Sequence, residues 1–158
     1  MTMRGRFVVH EHHGRQRHFD LRLEIDGVLK SWAVPKGPSM NPAERRLAVA
    51  VPDHPVEYLG FEGVIPPGQY GAGPVVIWDS GVFSAEGNLR HGELLLVLCG
   101  QKLHGGFALI RLARGDGTDW LLIKRRDEYA EPRFRLQSAL TPLRRRALVE
   151  RTPVCGIE

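Results

Sequence analysis

The sequence has few cysteines and no long apolar run, and these two absences exclude several classes of protein. Its 158 residues contain two cysteines, Cys99 and Cys155, which are too few for the disulfide framework of a small secreted domain. The longest purely apolar run, residues 94–99, is far shorter than the roughly 20 residues that span a bilayer. Residues 1–7 lack the apolar stretch of a secretory signal. We therefore expect a soluble cytoplasmic protein with no membrane partner.

Common nucleotide-binding and hydrolase signatures are also missing. No Walker loop or Gly-x-Gly-x-x-Gly run precedes a predicted helix, and no Gly-x-Ser-x-Gly elbow occurs. The glycine-rich residues 68–73 lie among predicted strands, so they are weak evidence for a nucleotide site. Cys99 ends an apolar strand and is predicted to be a core residue rather than a nucleophile.

Glycine and proline separate many short apolar segments. The chain has 18 glycines and 11 prolines, and 42% of its residues are hydrophobic. This arrangement is typical of an all-β domain with many strands. Loops are predicted at residues 35–45 and 60–74, and residues 142–150 form either a short helix capped by Thr141 or a basic tail. The candidate strands are residues 5–12, 18–25, 28–34, 46–52, 74–79, 81–85, 93–99, 107–113 and 119–125.

The segment 18–25 has the clearest strand pattern. Its apolar side chains alternate with polar ones, which places the two kinds on opposite faces of a strand. Asp26-Gly27 separates this segment from the apolar residues 28–34, and this pair is a strong signal for a type I′ hairpin.

Positive charge is concentrated at the two ends of the chain. The formal net charge is +4. Residues 1–22 contain five arginines against two acidic residues, and residues 133–151 contain six arginines against one. Basic ends suit a polyanionic partner, because each neutralised phosphate releases counterions. A solvated surface without a partner gives the same pattern.

Four of the seven histidines lie close together near the N-terminus, and Asp20 follows them. If residues 5–12 and 18–25 pair as strands, His12, His18 and Asp20 can converge on one ion. Two histidines and one carboxylate leave positions open for water or substrate, as in a catalytic rather than a structural metal site. The donor set suits Mn, Fe or Zn without selecting among them. The alternative is a group of surface histidines.

Arg22 and His54 are candidates for binding a phosphate beside such a metal. Arg22 lies two residues beyond Asp20 on the same strand face, and its planar guanidinium matches two phosphate oxygens. The alternative is a cross-strand ion pair with Glu24 or another carboxylate. His54 follows an apolar strand, where it could donate a proton to a leaving oxygen, hold a phosphate or cap a turn.

Taken together, these residues resemble the 3′-phosphoesterase domain of bacterial ligase D and its stand-alone archaeal and bacterial relatives. The resemblance extends over residues 7–126. It rests on long, ordered motifs, which are Phe7-Val8-Val9-His10-Glu11-His12, His18-Phe19-Asp20-Leu21-Arg22-Leu23-Glu24, residues 27–38, Asp53-His54-Pro55 with Tyr58, residues 61–66, residues 68–73 and Val76-Ile77-Trp78-Asp79.

The resemblance implies a compact antiparallel β-barrel with an active-site crescent on its surface. It implies a manganese-favouring enzyme, with Co²⁺ or Zn²⁺ as other metals, that acts on the 3′ end of a primer strand. Such an enzyme removes a terminal ribonucleoside to leave a 3′-phosphate, and then removes the phosphate. The implied partners are nucleic-acid 3′ ends and a separate ligase, polymerase or end-binding protein. The implied site comprises the metal ligands His12, His18 and Asp20, the phosphate-binding Arg22 and His54, the hydroxyl of Tyr58, and the secondary basic positions Lys36 and Arg46. Asp53, which precedes His54 in the motif, is a further secondary position.

The sequence departs from the family pattern at several places. His10 stands where the family often has Gln, so we expect it to hydrogen-bond a ligand or water, or to join the metal. The acidic residue often found before Asp53 is Pro52 here. An N-terminal arm with Arg, Asp and Glu contributes to ligase D activity and has no counterpart before Phe7. We therefore expect the phosphatase step to be less affected than ribonucleoside removal. We predict a phosphoesterase barrel, residues 1–132, and an Arg-rich C-terminal extension, residues 133–158, outside the family pattern.

Two other functions fit parts of the pattern. A non-catalytic module with a structural metal would bind nucleic-acid ends, and its binding would survive chelation without phosphate release. A cupin-like metal oxygenase would also carry two histidines and a carboxylate on a barrel. The cupin pattern places a Glu three to five residues after His12, where this sequence has Arg15, Gln16 and Arg17.

Overall fold

Strands make up most of the computed structural model, which describes residues 2–69 and 71–151. Met1, Tyr70 and residues 152–158, which include Cys155, lie outside the described residues. The elements in chain order are β1 Thr2–His13, β2 Arg17–Ile25, β3 Val28–Val34, β4 Arg45–Pro55, a 3-10 helix Val56–Gly60, β5 Gly63–Ile65, β6 Gly73–Asn88, β7 Glu93–Cys99, β8 His104–Arg111, β9 Asp119–Lys124 and α1 Pro142–Arg151.

Eight of these strands form a closed antiparallel barrel. Their order around the barrel is β1-β2-β3-β4-β9-β8-β7-β6, and β6 pairs back onto β1 to close it. The short β5 pairs with the start of β6, outside the closed ring. Closure satisfies the backbone hydrogen bonds that an open edge would leave unpaired. The predicted all-β antiparallel barrel is confirmed.

The barrel interior is filled by the alternate side chains of each strand. Phe19, Leu21 and Leu23 of β2 are buried in the core, as the alternation predicted. The turn from β2 to β3 has positive φ angles at both Asp26 (53°) and Gly27 (80°), which is the backbone that a type I′ hairpin requires.

Two strand predictions need correction. Residues 74–79 and 81–85 belong to the single strand β6, which continues through Gly81. A Cβ at Gly81 would lie 2.0 Å from the carbonyl oxygen of Cys99, so this glycine marks a close approach of two strands and not a break. The predicted loop 60–74 contains β5.

Cys99 is exposed rather than in the core. Strand β7 alternates, so Leu94, Leu96 and Leu98 are buried while Cys99 lies on the outer face. When only one face of a strand is buried, an apolar run therefore does not place all of its side chains in the core.

The C-terminal segment, residues 133–151, packs against the barrel. Thr141 caps α1 by accepting a hydrogen bond from the Arg144 backbone N–H at 3.1 Å, so the predicted helix and its cap are confirmed. Ala139 and Leu148 are buried in the same core as the strands. The division of the chain at residue 132 stays a prediction. Among the described residues, no helix has the length and apolar character needed to cross a membrane.

Candidate functional site

Strands β1 and β2 carry half of the predicted site residues on one face, including the three candidate metal ligands. They pair antiparallel, with His12 opposite His18 and His10 opposite Asp20. Because side chains alternate along a strand, these residues lie on the outer face of the ribbon, opposite the face that contributes to the core. The pairing on which the metal hypothesis depended is therefore present.

His12, His18 and Asp20 come together as one group. Each offers a ligand atom, and these three atoms all lie within 4.8 Å of one another. His18 Nε2 lies 3.2 Å from Asp20 Oδ2, and His12 Nδ1 lies 4.0 Å from the same oxygen. Asp20 and His12 are buried, so the group is held in a fixed environment.

The ring of His12 is oriented by a backbone carbonyl. Its Nε2 donates a hydrogen bond to the Gly71 oxygen at 2.6 Å, which leaves the Nδ1 lone pair facing Asp20. A histidine that ligates a metal commonly donates its other ring N–H to a carbonyl in this way. Burial lowers the pKa of His12 below its ordinary value, so the ring is neutral and able to ligate.

His18 donates a hydrogen bond to Asp20 through Nε2, at 3.2 Å from Oδ2. The hydrogen bond to Asp20 raises the pKa of His18 above its ordinary value. Burial acts to raise the pKa of Asp20, but the hydrogen bond from His18 and the charge of Arg22 outweigh burial, and the pKa of Asp20 is lowered. The carboxylate is therefore ionised and carries the negative charge of the group.

Arg22 is buried beside this group and is held at every nitrogen. Its Nε donates to His10 Nδ1 at 3.1 Å, and its Nη2 donates to Asp20 at 3.3 Å. Its Nη1 donates to the Ser31 hydroxyl at 2.9 Å and lies 3.1 Å from His54 Nδ1. These contacts use four of the five guanidinium N–H groups. The second Nη2 N–H has no partner among the described residues.

An irregularity in β4 turns His54 toward Arg22. In the pairing of β3 with β4, Leu29 lies opposite His54 and Ser31 opposite Val51, so β4 has one extra residue between them. Such a bulge changes which residues face outward, and it places His54 on the same side as Arg22. Its Nδ1 also lies 3.1 Å from the carbonyl oxygen of Pro52. Burial, followed by the charge of Arg22, lowers the pKa of His54.

Tyr58 packs against the same side chains through its ring. Its ring lies 4.9 Å from that of His54 and stacks on Phe61 at 4.7 Å. The Arg22 guanidinium lies 5.0 Å from the ring centre, at a distance typical of a cation–π contact. Burial raises the pKa of Tyr58, so its hydroxyl remains protonated.

His10 lies in the site but outside the metal group. Its Nε2 donates to the Phe61 carbonyl at 3.0 Å, and its Nδ1 accepts from Arg22. Burial and the charge of Arg22 lower the pKa of His10 to about 3, so the ring is neutral. A neutral His10 holds the guanidinium in place without repelling it.

The three remaining secondary positions lie apart from the group. Lys36 is exposed in the turn after β3, Arg46 bonds Glu44 at 3.3 Å, and Asp53 pairs with Lys30 at 3.0 Å. The structure brings none of them into contact with the three candidate ligands.

Two contacts of the site escaped the sequence reasoning. Ser31 accepts from Arg22 and donates to the Leu29 carbonyl, and its place opposite Arg22 follows only from the β2–β3 register. The Gly71 carbonyl comes from a loop 59 residues from His12 in the sequence. The glycine-rich composition of this loop was the available signal, and it did not indicate that the loop would contact His12.

Comparison with known proteins gives a family match over much of the chain. The description of the matching family is DNA Ligase D 3′-phosphoesterase domain, and residues 10–111 match it. The multifunctional non-homologous end joining protein LigD of Pseudomonas aeruginosa is 50% identical over 128 residues, which cover 77% of this chain. The protein of the same name from Mycolicibacterium smegmatis is 47% identical over 133 residues, 78% of this chain. The multifunctional non-homologous end joining DNA repair protein LigD of Mycobacterium tuberculosis is 49% identical over 118 residues, 73% of this chain.

The matched region is a small part of these relatives. It spans 15% of the Pseudomonas protein, 17% of the Mycolicibacterium protein and 15% of the Mycobacterium tuberculosis protein.

Proposed function

The chain belongs to the DNA ligase D 3′-phosphoesterase domain family, and from this membership we propose that it is a metal-dependent phosphoesterase acting on nucleic-acid 3′ ends in end-joining repair. It removes a 3′-phosphate, and it removes a terminal ribonucleoside from a primer strand to leave such a phosphate. The observation that carries the proposal is the contact of Arg22 with both His54 and Asp20, beside the group of three candidate ligands.

The donor set of the group fits a divalent ion. His12 presents a lone pair at Nδ1, Asp20 presents an ionised carboxylate, and His18 can present Nε2 once it gives up the proton that it donates to Asp20. Two imidazoles and one carboxylate suit Mn²⁺, Co²⁺ or Zn²⁺ and leave further positions open. When bound there, such an ion supplies charge neutralisation for a phosphate and activation of a water.

The charges of the site suit a phosphate ester. Arg22 and Asp20 balance one another, and the histidines in contact with Arg22 are neutral because burial lowers the pKa of His10 and of His54. A divalent ion therefore gives the site an excess positive charge, which complements a phosphate dianion. The second Nη2 N–H of Arg22 would donate to a phosphate oxygen, and its fixed position avoids reorganisation during the reaction.

His54 is suited to hydrogen-bond the reacting phosphate. When its Nδ1 accepts from Arg22, its proton lies on Nε2, from which it can donate to an oxygen of the phosphate or of the leaving group. If Nδ1 carries the proton instead, it donates to the Pro52 carbonyl and cannot accept from Arg22. Only one of these two hydrogen bonds therefore forms at a time. Tyr58 supports both Arg22 and His54 through its ring.

Basic residues of the C-terminal segment suit contact with the nucleic-acid backbone. Arg133, Arg135, Arg145 and Arg146 are exposed. Contacts of arginine with phosphates position a protein on a duplex and are weakened by salt. The expected repair partners are a separate ligase, a polymerase or an end-binding protein.

Release of 3′-phosphate from a labelled primer–template tests this proposal. One substrate ends in a 3′-phosphate and a second ends in a 3′ ribonucleotide, each with Mn²⁺ and with chelator. We expect Mn²⁺-dependent release by the wild type, and loss of about 100-fold or more in rate for His12→Ala and His54→Ala. His91→Ala is the matched control, because His91 is exposed and lies outside the site.

The same assay distinguishes the other functions. Binding of the primer–template that survives chelation, with no phosphate release, would contradict catalysis and support an end-binding module. Release that persists unchanged in His12→Ala would contradict the assignment of the site. Shortening of the ribonucleotide end reports the phosphodiesterase step separately.

A further inference from the structure

We propose that Glu11 and the C-terminal segment position the histidines of β1 for metal binding. The inference rests on the proposed function, because it takes His12 as a metal ligand. Glu11 lies between His10 and His12 in the sequence and points to the opposite face of β1, and its side chain is fully buried. The family match ends at residue 111, so the segment that meets Glu11 lies beyond the matched region.

The Glu11 carboxylate is bonded mainly by the C-terminal segment. Its Oε1 accepts from the Ala139 backbone N–H at 2.6 Å, and its Oε2 accepts from the Ser138 hydroxyl. The same Oε2 accepts from His13 Nε2 at 2.6 Å. A buried carboxylate is costly unless its oxygens are hydrogen-bonded. Two of the three donors come from residues more than 120 positions away in the sequence.

A second contact joins the C-terminal segment to the wall of the site. The Arg144 guanidinium donates to the Glu62 carboxylate and to the Ile77 carbonyl. Glu62 also accepts from the Ile77 backbone N–H at 2.8 Å, and Ile77 lies opposite His10 in the β1–β6 pairing. Glu62 follows Phe61, whose carbonyl accepts from His10. The two residues that Arg144 contacts therefore both lie near His10: Ile77 is opposite it in the β1–β6 pairing, and Glu62 is next to the residue that accepts its hydrogen bond.

The contacts of Glu11 affect the orientation of the His12 ring and not the number of candidate ligands. His12 keeps its Nδ1 lone pair toward Asp20 only while its Nε2 meets the Gly71 carbonyl. That contact requires the end of β1 to stay fixed, and Glu11 is the residue that fixes it to the C-terminal segment. Glu11 is a positioning residue, since the hydrogen bonds of its carboxylate go to His13, Ser138 and Ala139 and not to the three candidate ligands.

Nitrogen spectra of the histidine side chains in the metal-free protein test this role. Long-range ¹H–¹⁵N NMR reports which ring nitrogen carries the proton. We expect the wild type to show His12 protonated at Nε2, and Glu11→Gln to show a mixture of tautomers. We also expect the Mn²⁺ dissociation constant of Glu11→Gln to rise about 10-fold, which is typical when a residue that orients a metal ligand is changed.

Exposed residues provide matched controls. Glu93→Gln and Ser80→Ala change the same residue types at exposed positions and should match the wild type in both measurements. Ser138→Ala removes one donor to Glu11 and should give a smaller shift in the same direction, and it decides the test if Glu11→Gln does not fold. A folded Glu11→Gln with the wild-type His12 tautomer and Mn²⁺ affinity would overturn the inference. Failure of the wild type to release phosphate would contradict the proposed function and would leave the tautomer comparison intact.

Discussion

The two faces of the β1–β2 ribbon come from alternating residues of the same strands, yet they are held in different ways. On the inner face, Phe7, Phe19 and Leu21 lie in the hydrophobic core. On the outer face, Arg22 contacts four polar side chains at 2.9–3.3 Å. Apolar contacts are not directional, whereas hydrogen bonds depend on which atom faces which. A change among the apolar side chains of the inner face should therefore reduce stability, and a change in the buried polar group around Arg22 should reduce phosphate release.

The outer face itself contains two different regions. At one end, Arg6 and Glu24 form a largely exposed ion pair with a bidentate geometry, at 2.9 and 2.7 Å. At the other end, Arg22 and Asp20 are buried with histidines around them. The same two residue types, an arginine and a carboxylate, thus form a largely solvent-exposed pair at one end and a buried pair among histidines at the other.

The largest expected effect separates the neighbours Leu21 and Arg22. Arg22→Lys keeps the charge but removes the planar fork, so we expect the rate of 3′-phosphate release to fall about 100-fold or more. Leu21→Ala should lower the free energy of unfolding by about 3 kcal/mol because it opens a cavity in the core. Its rate per folded molecule should stay near that of the wild type. Urea unfolding and phosphate release, measured on both variants, check the two results.

The opposite pattern of effects in these two variants would contradict the contrast between the inner and outer faces. A large activity loss in folded Leu21→Ala, together with full activity in Arg22→Lys, would show that the inner face governs the chemistry.

A smaller effect is expected at Gly71, whose carbonyl orients His12. Gly71 has a φ of +75°, and a Cβ there would lie 3.1 Å from His12 Cε1. Gly71→Ala should therefore shift the ring and weaken Mn²⁺ binding about 10-fold. Gly68→Ala is the control, because Gly68 has a φ of +86° and, among the described residues, no atom lies within 4 Å of its Cβ position. Mn²⁺ affinities of both variants are measured by calorimetry. If both variants bind Mn²⁺ equally weakly, backbone strain and not the contact with His12 explains the loss of affinity.

The smallest effect concerns the exposed pair. The hydrogen bond from Arg6 lowers the pKa of Glu24 from 4.5 to about 2. Because the folded pKa lies below the unfolded one, the stability from this pair is present above pH 4.5 and is lost as the pH falls toward 2. Glu24→Gln should remove this part of the acid dependence, measured by thermal unfolding at several pH values, without changing phosphate release at neutral pH. The pair is exposed and screened by solvent, so the change is small.

The alternation of polar and apolar residues was sufficient to predict the β1–β2 ribbon. Its period of two placed His18, Asp20 and Arg22 on one face, and the spacing of His10 and His12 placed them on the facing strand. The position of His54 could not be predicted in this way, because it depends on one extra residue in β4 relative to β3. Glu11 was also missed, since its partners Ser138 and Ala139 are remote in the sequence.

Direct counting of bound manganese tests the central claim that the outer face of β1–β2 is a metal centre. Mn²⁺ is titrated into the protein, and the free ion is measured by electron paramagnetic resonance. The account predicts one tight ion per chain in the wild type, binding weakened about 100-fold in His18→Ala, and unchanged binding in the exposed control His91→Ala. A wild-type protein that binds no Mn²⁺, or a folded His18→Ala that binds it as tightly as the wild type, would contradict the account.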